Sequence, residues 1–286
     1  MVNFRADLHC HSTCSDGSLS PDALVRLAKE SGLSGISITD HDTIDAYADG
    51  MVLANELGLK WVPGVEFSAV HKGVSVHVLA YAFSLKSVSL KRFCAKHSIR
   101  RQERNAGILD RLAKRGMPVS YKELFSDTIA SSVGPRKIAG RPHIAQVMVN
   151  KGYVSTVREA FDKYLAEGMS CYDPGQAISV EETIEYIHAA KGLAVIAHPH
   201  LIRNAPIEEA LLRMPFDGIE GYYGNFHRSQ EARWIALAGG KKWMVTGGSD
   251  FHGDIRPKIP LGCSWVTQET FDLLHKNFIE ASKSAW

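Results

Sequence analysis

The residues in this chain best suited to chemistry stand at its start. Asp7-Leu8-His9-Cys10-His11 is followed at once by Ser15-Asp16-Gly17. Histidines at i and i+2 of an extended segment put two imidazoles on one side of the backbone, because strand side chains alternate with period two. Imidazole is a frequent metal ligand and titrates near neutrality. One His-x-His pair carries little weight alone. This one is matched by Thr39-Asp40-His41-Asp42, Gly64-Val65-Glu66, His77, Ala197-His198-Pro199-His200 and Gly248-Ser249-Asp250-Phe251-His252. So many imidazoles and carboxylates in recurring short motifs point to a metalloenzyme. Mixed nitrogen and oxygen ligands suit Mn²⁺, Fe²⁺ or Zn²⁺, and without thiolates zinc is not singled out.

The elements that must position these groups alternate between strand and helix. Phe4 to His9 reads as a strand, and Ser20-Pro21 opens a helix through Ser31, with Ser20 as N-cap and Pro21 in the first turn. Gly35 to Thr39 is a strand, Thr43 to Leu57 a helix closed by Gly58, and Trp61 to Glu66 a strand. Val74 to Tyr81 is another, joined as a hairpin through His71-Lys72-Gly73. Further on come a helix over Val180 to Ala190, a strand over Leu193 to Ala197, short strands at Gly218 to Gly221, Met244 to Gly247 and Cys263 to Val266, and a helix over Gln230 to Ala238. Alternation of this kind implies parallel pairing. Most motif residues sit just past the carboxyl ends of the strands, and His77 lies inside its strand. A closed β/α barrel opens all those ends onto one face, whereas an open sheet would struggle to bring six of them together.

The alternation breaks in the middle. Leu90 to Arg115, Ile138 to Asn150 and Val154 to Ala166 read as helices with no strand between, so 86–176 is expected to be a helical insertion between barrel segments 1–85 and 177–286. Charge divides along the same line. Residues 86–151 carry a balance of +11 inside a chain of net charge +2, which leaves −9 elsewhere. A basic block on an acid-rich body suits the collection of an anionic substrate. At 286 residues and 45% hydrophobic, the chain can bury a large core with a small appendage. The first motif begins too early for a signal peptide, and no apolar run approaches a membrane span. Five cysteines without paired spacing fit reduced thiols in the cytoplasm.

The ordered set His9-x-His11, Asp16, Thr39-Asp40-His41, Gly64-x-Glu66, His77, His198-Pro199 and Ser249-Asp250-x-His252 resembles the PHP (polymerase and histidinol phosphatase) family of metal-dependent phosphoesterases. Ile138 to Ala145 and Gly218 to Tyr223 resemble its small stand-alone branch, described as 3′,5′-nucleoside bisphosphate phosphatases and 5′-to-3′ exonucleases on short RNA. The resemblance implies a distorted, seven-stranded TIM-like barrel and three divalent ions per chain, with Mn²⁺ the first choice. His9, His11, Glu66 and Asp250 would hold the first ion. Glu66 would bridge to a second, also held by His77 and His198. Asp16, His41 and His252 would hold the third. Asp40 and Asp42 would orient imidazoles of the set. A water shared by two metals would attack the phosphorus, with His200, His227 or the third metal serving the leaving oxygen.

The basic block would then clamp a second phosphate. Arg100, Arg101 and Arg104 are one helical turn apart, while Arg136-Lys137, Arg141 and His143 lie in or beside a Gly/Pro/Ser-rich loop. The favoured reaction is removal of the 3′-phosphate from a nucleoside 3′,5′-bisphosphate, such as adenosine 3′,5′-bisphosphate to AMP. The alternatives are a short-RNA 5′-to-3′ exonuclease, a histidinol-phosphate phosphatase and a non-enzymatic metal-dependent binding module. The scattered aromatics of the block (Phe93, Tyr121, Phe125, Tyr153, Phe161, Tyr164) form no stacking stripe for a long nucleic-acid track.

Overall fold

The computed structural model describes residues 4–125, 139–224 and 226–283. Strand β1 (Ala6–Cys10) is buried along its whole length and pairs in parallel with β2 (Gly35–Ile38), which pairs with the two-residue β3 (Lys60–Trp61). Helices α1 (Pro21–Glu30) and α2 (Ala46–Glu56) cover this sheet, and the Ser20 hydroxyl accepts from the Ala23 amide as the expected N-cap. A five-stranded sheet follows, ordered β4 (Gly64–His71), β5 (Val74–Tyr81), β6 (Leu193–Ile196), β7 (Gly218–Tyr223) and β8 (Met244–Gly248).

The mixed α/β architecture is as expected, whereas a closed seven-stranded barrel is not itself seen: the described residues form eight strands in two sheets. Pro63 is one cause. It has no N–H to give a ladder, so the strand expected over Trp61 to Glu66 splits into β3 and β4, which belong to different sheets. The Lys72-Gly73 turn is another. Both residues have positive φ (47° and 83°), which suits a tight hairpin, and β5 therefore runs antiparallel to β4 and to β6. Cys263 to Val266 contributes only one bridge, between Ala6 and Val266.

The sheets meet along two seams. At one, Asp42 N donates to Glu66 O (3.0 Å) and Glu66 N to Asp40 O (3.3 Å). At the other, Asp250 N donates to His9 O (2.7 Å) and His11 N to Phe251 O (2.9 Å). Gly248 permits this second approach, since a Cβ there would lie 2.3 Å from His9 N and 2.6 Å from an Asp7 carboxylate oxygen. An interior cluster including Leu8, Val62, Leu79, Tyr81, Val195 and Phe271 draws on both sheets.

Among the described residues, 86–176 contain no strand. Helix α3 (Val88–Ala113) is followed by α4 (Arg141–Asn150) and α5 (Val157–Ala160), the last continuing as a wider turn over Phe161–Leu165. Ile108, Leu112, Ile144, Met148, Leu165 and Cys171 form a separate apolar cluster here. At 26 residues, about 39 Å long, α3 belongs to two cores. Leu90 and Phe93 pack on the larger sheet, and Ile108 to Leu112 on the helical cluster. Helices α6 (Val180–Ala189), α7 (Ala205–Leu212) and α8 (Arg228–Lys241) cover the larger sheet, and α9 (Gln268–Lys283) closes the chain.

Candidate metal centre

Glu66, near the start of β4, is 1% exposed and has imidazoles on both carboxylate oxygens. Oε1 lies 2.7 Å from His77 Nδ1 and 2.8 Å from His198 Nε2. Oε2 lies 3.4 Å from His9 Nε2, 3.2 Å from His11 Nε2 and 3.2 Å from His41 Nδ1. The reversed direction of β5 explains how His77 takes part from mid-strand. It pairs with Ser68, two residues beyond Glu66 on the neighbouring strand, so it shares the same face. Asp250 Oδ1 lies 3.4 Å from His9 Nε2 and 3.2 Å from His11 Nε2. Asp16 Oδ1 lies 3.6 Å from His11 Nδ1 and 3.5 Å from His252 Nε2, and its Oδ2 is 3.8 Å from His41 Nε2. All nine residues predicted as ligands therefore converge.

Eight of the nine fall into overlapping groups of donors: His9, His11, Glu66 and Asp250; His11, Asp16, His41 and His252; His41, Glu66 and His77; His198 stands in none of them and meets Glu66 Oε1 instead. His11 and His41 each direct one ring nitrogen at Asp16 and the other at Glu66. Burial opposes ionisation, yet His41, His77 and His9 hold the Glu66 carboxyl well below the usual carboxylate range. His9 Nε2, both nitrogens of His11 and His41 Nδ1 are buried with no hydrogen-bond partner among the described residues, although carboxylate oxygens lie 3.2–3.6 Å away. Nitrogens and oxygens that converge without hydrogen-bonding are the arrangement a cation between them would complete. The donor set therefore fits divalent metal ions, and it is imidazole and carboxylate throughout.

A supporting layer holds the set, and most of it was not read from sequence. Glu220 on β7 is fully buried; its Oε1 pairs with His9 Nδ1 at 2.8 Å, which leaves Nε2 to face the centre, and its Oε2 accepts from the His198 amide at 2.7 Å. Asp7 accepts from the amides of His9 (3.1 Å), Ser249 (3.0 Å) and Gly262 (2.8 Å) across the β1–β8 seam. Burial nevertheless pushes its carboxyl up to about 6. Asp40 and Asp42, expected to orient imidazoles of the set, bond elsewhere. Asp40 takes the Ser12 amide (2.8 Å) and the Ser12 and Ser15 hydroxyls (2.5 Å each), which fixes the loop presenting Asp16. Asp42 takes the Ser68 amide (2.7 Å) and Arg101 Nε (2.5 Å), and lies 3.0 Å from buried His97 Nδ1. Asp42, His198 and Asp250 all have positive φ (59°, 25° and 56°), so motif residues carry local backbone strain.

Replacing Glu220 with Gln, which keeps its shape but not its charge, is expected to lower metal affinity about 10- to 100-fold. Competition against a chromophoric chelator measures this directly.

The residues expected to meet substrate divide into two sorts. Arg100 donates to the backbone oxygens of Gln176 (2.5 Å) and Ser68 (2.9 Å), and Arg101 to Asp42 and to the Ser68 hydroxyl (2.9 Å). These bonds attach α3 to β4. Arg104 is 8% exposed and its Nε has no partner among the described residues. Burial, then the charges of Arg101, Arg141 and Arg100, pull Arg104 down to about 9. Arg141 lies over the Tyr172 ring (5.5 Å), and His143 Nδ1 accepts the Gly140 amide (2.8 Å) as a cap of α4. Arg136 and Lys137 fall outside the described residues. His200 packs on Phe226 (3.8 Å between centroids) and Tyr223 (4.6 Å), and burial with neighbouring His198 brings it down to about 4. His227 is exposed and spends Nδ1 on Ser229 (2.9 Å to the hydroxyl) at the start of α8.

A family profile described as the PHP domain matches residues 7–170. The 5′-3′ exoribonuclease Rnm of Escherichia coli is 35% identical over 263 residues, covering 90% of this chain and 87% of that one. The 3′,5′-nucleoside bisphosphate phosphatase of Chromobacterium violaceum is 29% identical over 254 residues, covering 86% of each chain. A crystal structure from Bifidobacterium adolescentis, assigned as a metal-dependent phosphoesterase, superposes with a TM-score of 0.84 at 29% identity, covering 95% of this chain and 96% of that one.

Proposed function

Since the chain belongs to the PHP family of metal-dependent phosphoesterases, we propose that it hydrolyses the 3′-phosphoester of a nucleotide that also carries a 5′-phosphate. The observation that carries this reading is the placement of two anion-seeking regions side by side. The centre around Glu66 is one. The other is the group of Arg100, Arg101, Arg104 and Arg141, whose mutual repulsion has Asp42 as a nearby carboxylate, the residue directly after His41. Buried cations in excess of their counter-charges are costly unless a ligand anion completes them. A substrate with two phosphates supplies one anion to each region.

Three divalent ions, Mn²⁺ by first choice, would be held in the three ligand sets set out from sequence. When bound, such ions lower the pKa of water and offset negative charge on phosphoryl oxygens. The chain's residues do the rest. Glu220 fixes the ring of His9, and Asp40 fixes the loop of Asp16. Arg104 and Arg141 receive the 5′-phosphate, and helices α3 and α4 form the wall that presents them. His200, packed on Tyr223 and Phe226, borders the reacting phosphate.

Water adds to phosphorus, the P–O3′ bond breaks, and O3′ leaves to become a hydroxyl. A nucleoside 3′,5′-bisphosphate then gives a nucleoside 5′-monophosphate and phosphate. A short RNA with a 5′-phosphate undergoes the same cleavage, giving the same mononucleotide and an RNA shortened by one with a new 5′-phosphate. The 35% identity to an enzyme named as a 5′-3′ exoribonuclease favours carrying this second substrate beside the first. Cys10, Cys94, Cys171 and Cys263 are unpaired, which suits a reducing compartment, so we place the enzyme in the cytoplasm. No helix among the described residues is long and apolar enough to cross a membrane.

Replacing Arg141 with Ala is expected to raise KM for adenosine 3′,5′-bisphosphate about 10-fold or more, the cost of a lost charge-assisted bond. Turnover of p-nitrophenyl phosphate, which has no second phosphate, should change little. Equal effects on both substrates would sink the two-phosphate reading. Comparing 5′-phosphorylated with 5′-hydroxyl short RNA tests the same subsite on the longer substrate.

A further inference from the structure

Arg256 has no part in the ligand set or in the basic helical segment. It follows the Gly253–Ile255 turn, four residues after His252. Its guanidinium pairs through one amino group with Asp250 Oδ2. Among the described residues it is the one Lys or Arg that forms an ion pair with any of the nine converging residues. Asp250 is nearly buried, whereas the Arg256 side chain is 44% exposed. The arginine thus reaches from solvent to the edge of the centre. Its Nε and second amino group have no partner among the described residues.

An arginine on a ligating carboxylate is a poor choice if Asp250 merely needs orienting. Oδ2 already accepts from the Tyr223 hydroxyl at 2.7 Å, while Oδ1 faces His9 and His11. A cation there also competes for the electron density that Asp250 would give a metal. Its unused donors suit a third party that is anionic and planar-fork compatible. The loop is held in place for such a task, with Asp254 N donating to Ser18 Oγ (3.0 Å) and Ser18 N to His252 O (3.1 Å). Ser18, Asp254 and Ile255 also line a cavity of about 150 Å³ whose other wall includes Pro142 and His143 of α4. The loop therefore stands between the centre and the helical segment.

We propose that Arg256 is a substrate-binding residue that holds a non-bridging oxygen of the scissile phosphate through its remaining N–H groups. The inference rests on the proposed function only in requiring that the centre binds phosphate.

The test is isothermal titration of inorganic phosphate into the manganese-loaded protein, with metal content measured on the same samples. Arg256→Ala should weaken phosphate binding at least 10-fold at unchanged metal content, Arg256→Lys should fall between, and guanidinium at tens of millimolar should restore part of the loss. Tyr223→Phe is the control, since it removes the other Asp250 donor. Unchanged phosphate affinity in Arg256→Ala overturns the proposal. So does a loss that tracks metal loss and is matched by Tyr223→Phe, because Arg256 would then act only on Asp250. If the loaded wild-type protein neither binds phosphate nor hydrolyses p-nitrophenyl phosphate, the proposed function falls with it, a result distinct from either of these.

Discussion

Replacing Glu66 with Gln is expected to reduce phosphoester hydrolysis at least about 10³-fold, which corresponds to ~4 kcal/mol of lost transition-state stabilisation. The reason is the division of labour between its oxygens. Oε1 faces His77 and His198, and Oε2 faces His9, His11 and His41. Gln has the same size but one carbonyl oxygen and an amide nitrogen that donates hydrogen bonds and ligates poorly. It can serve one side only. The charge also matters, because Glu66 is the carboxylate common to two of the groups of donors. Metal content should therefore fall together with turnover. Elemental analysis of the purified variant beside its rate measurement checks both, and full metal occupancy with near-normal turnover would remove Glu66 from the middle of the scheme.

The second large effect is on stability. Asp42→Ala should destabilise the metal-saturated protein by about 3–5 kcal/mol, the usual consequence of removing one partner from a buried ion pair. Asp42 is fully buried and Arg101 is 7% exposed, so the stranded guanidinium cannot turn to water. The Ser68 amide loses its acceptor too, and His97 its charged neighbour. For a chain of this size the melting temperature should drop by roughly 10 °C. Thermal unfolding of Asp42→Ala, Arg101→Ala and the double variant separates the causes. The double variant should recover much of the loss, because it no longer leaves a lone buried charge. A double variant as unstable as the sum of the singles would mean the pair contributes little to the cost.

The ligand set was legible because its chemistry is local. His9-x-His11 announces two imidazoles on one side of a strand, and five further motifs repeat the same residue types. Helix α1 was legible from its cap, Ser20. What escaped depends on which strands become neighbours. Glu220 is a lone acid in a short strand, and its role exists only because β7 brings it within 2.8 Å of His9, on a strand of the other sheet. Arg256 has no motif at all. The arginines of α3 were readable as a helical stripe, but not as two anchored side chains and one with an unpartnered Nε, since Arg100 is anchored on backbone oxygens of Ser68 and Gln176 and Arg101 on Asp42 and the Ser68 hydroxyl. The division into two sheets did have a visible sign, Pro63, which a strand read through from Trp61 to Glu66 passes over.

The two sheets share no continuous ladder at their seams. They are joined there by isolated bridges, His41 to Glu66 and Cys10 to Phe251, and both bridges stand among the converging residues. Ions in the centre would consequently act as rivets between the sheets, much as disulfides staple secreted domains. A chain short of metal would lack that bridging along the very lines where substrate must be held.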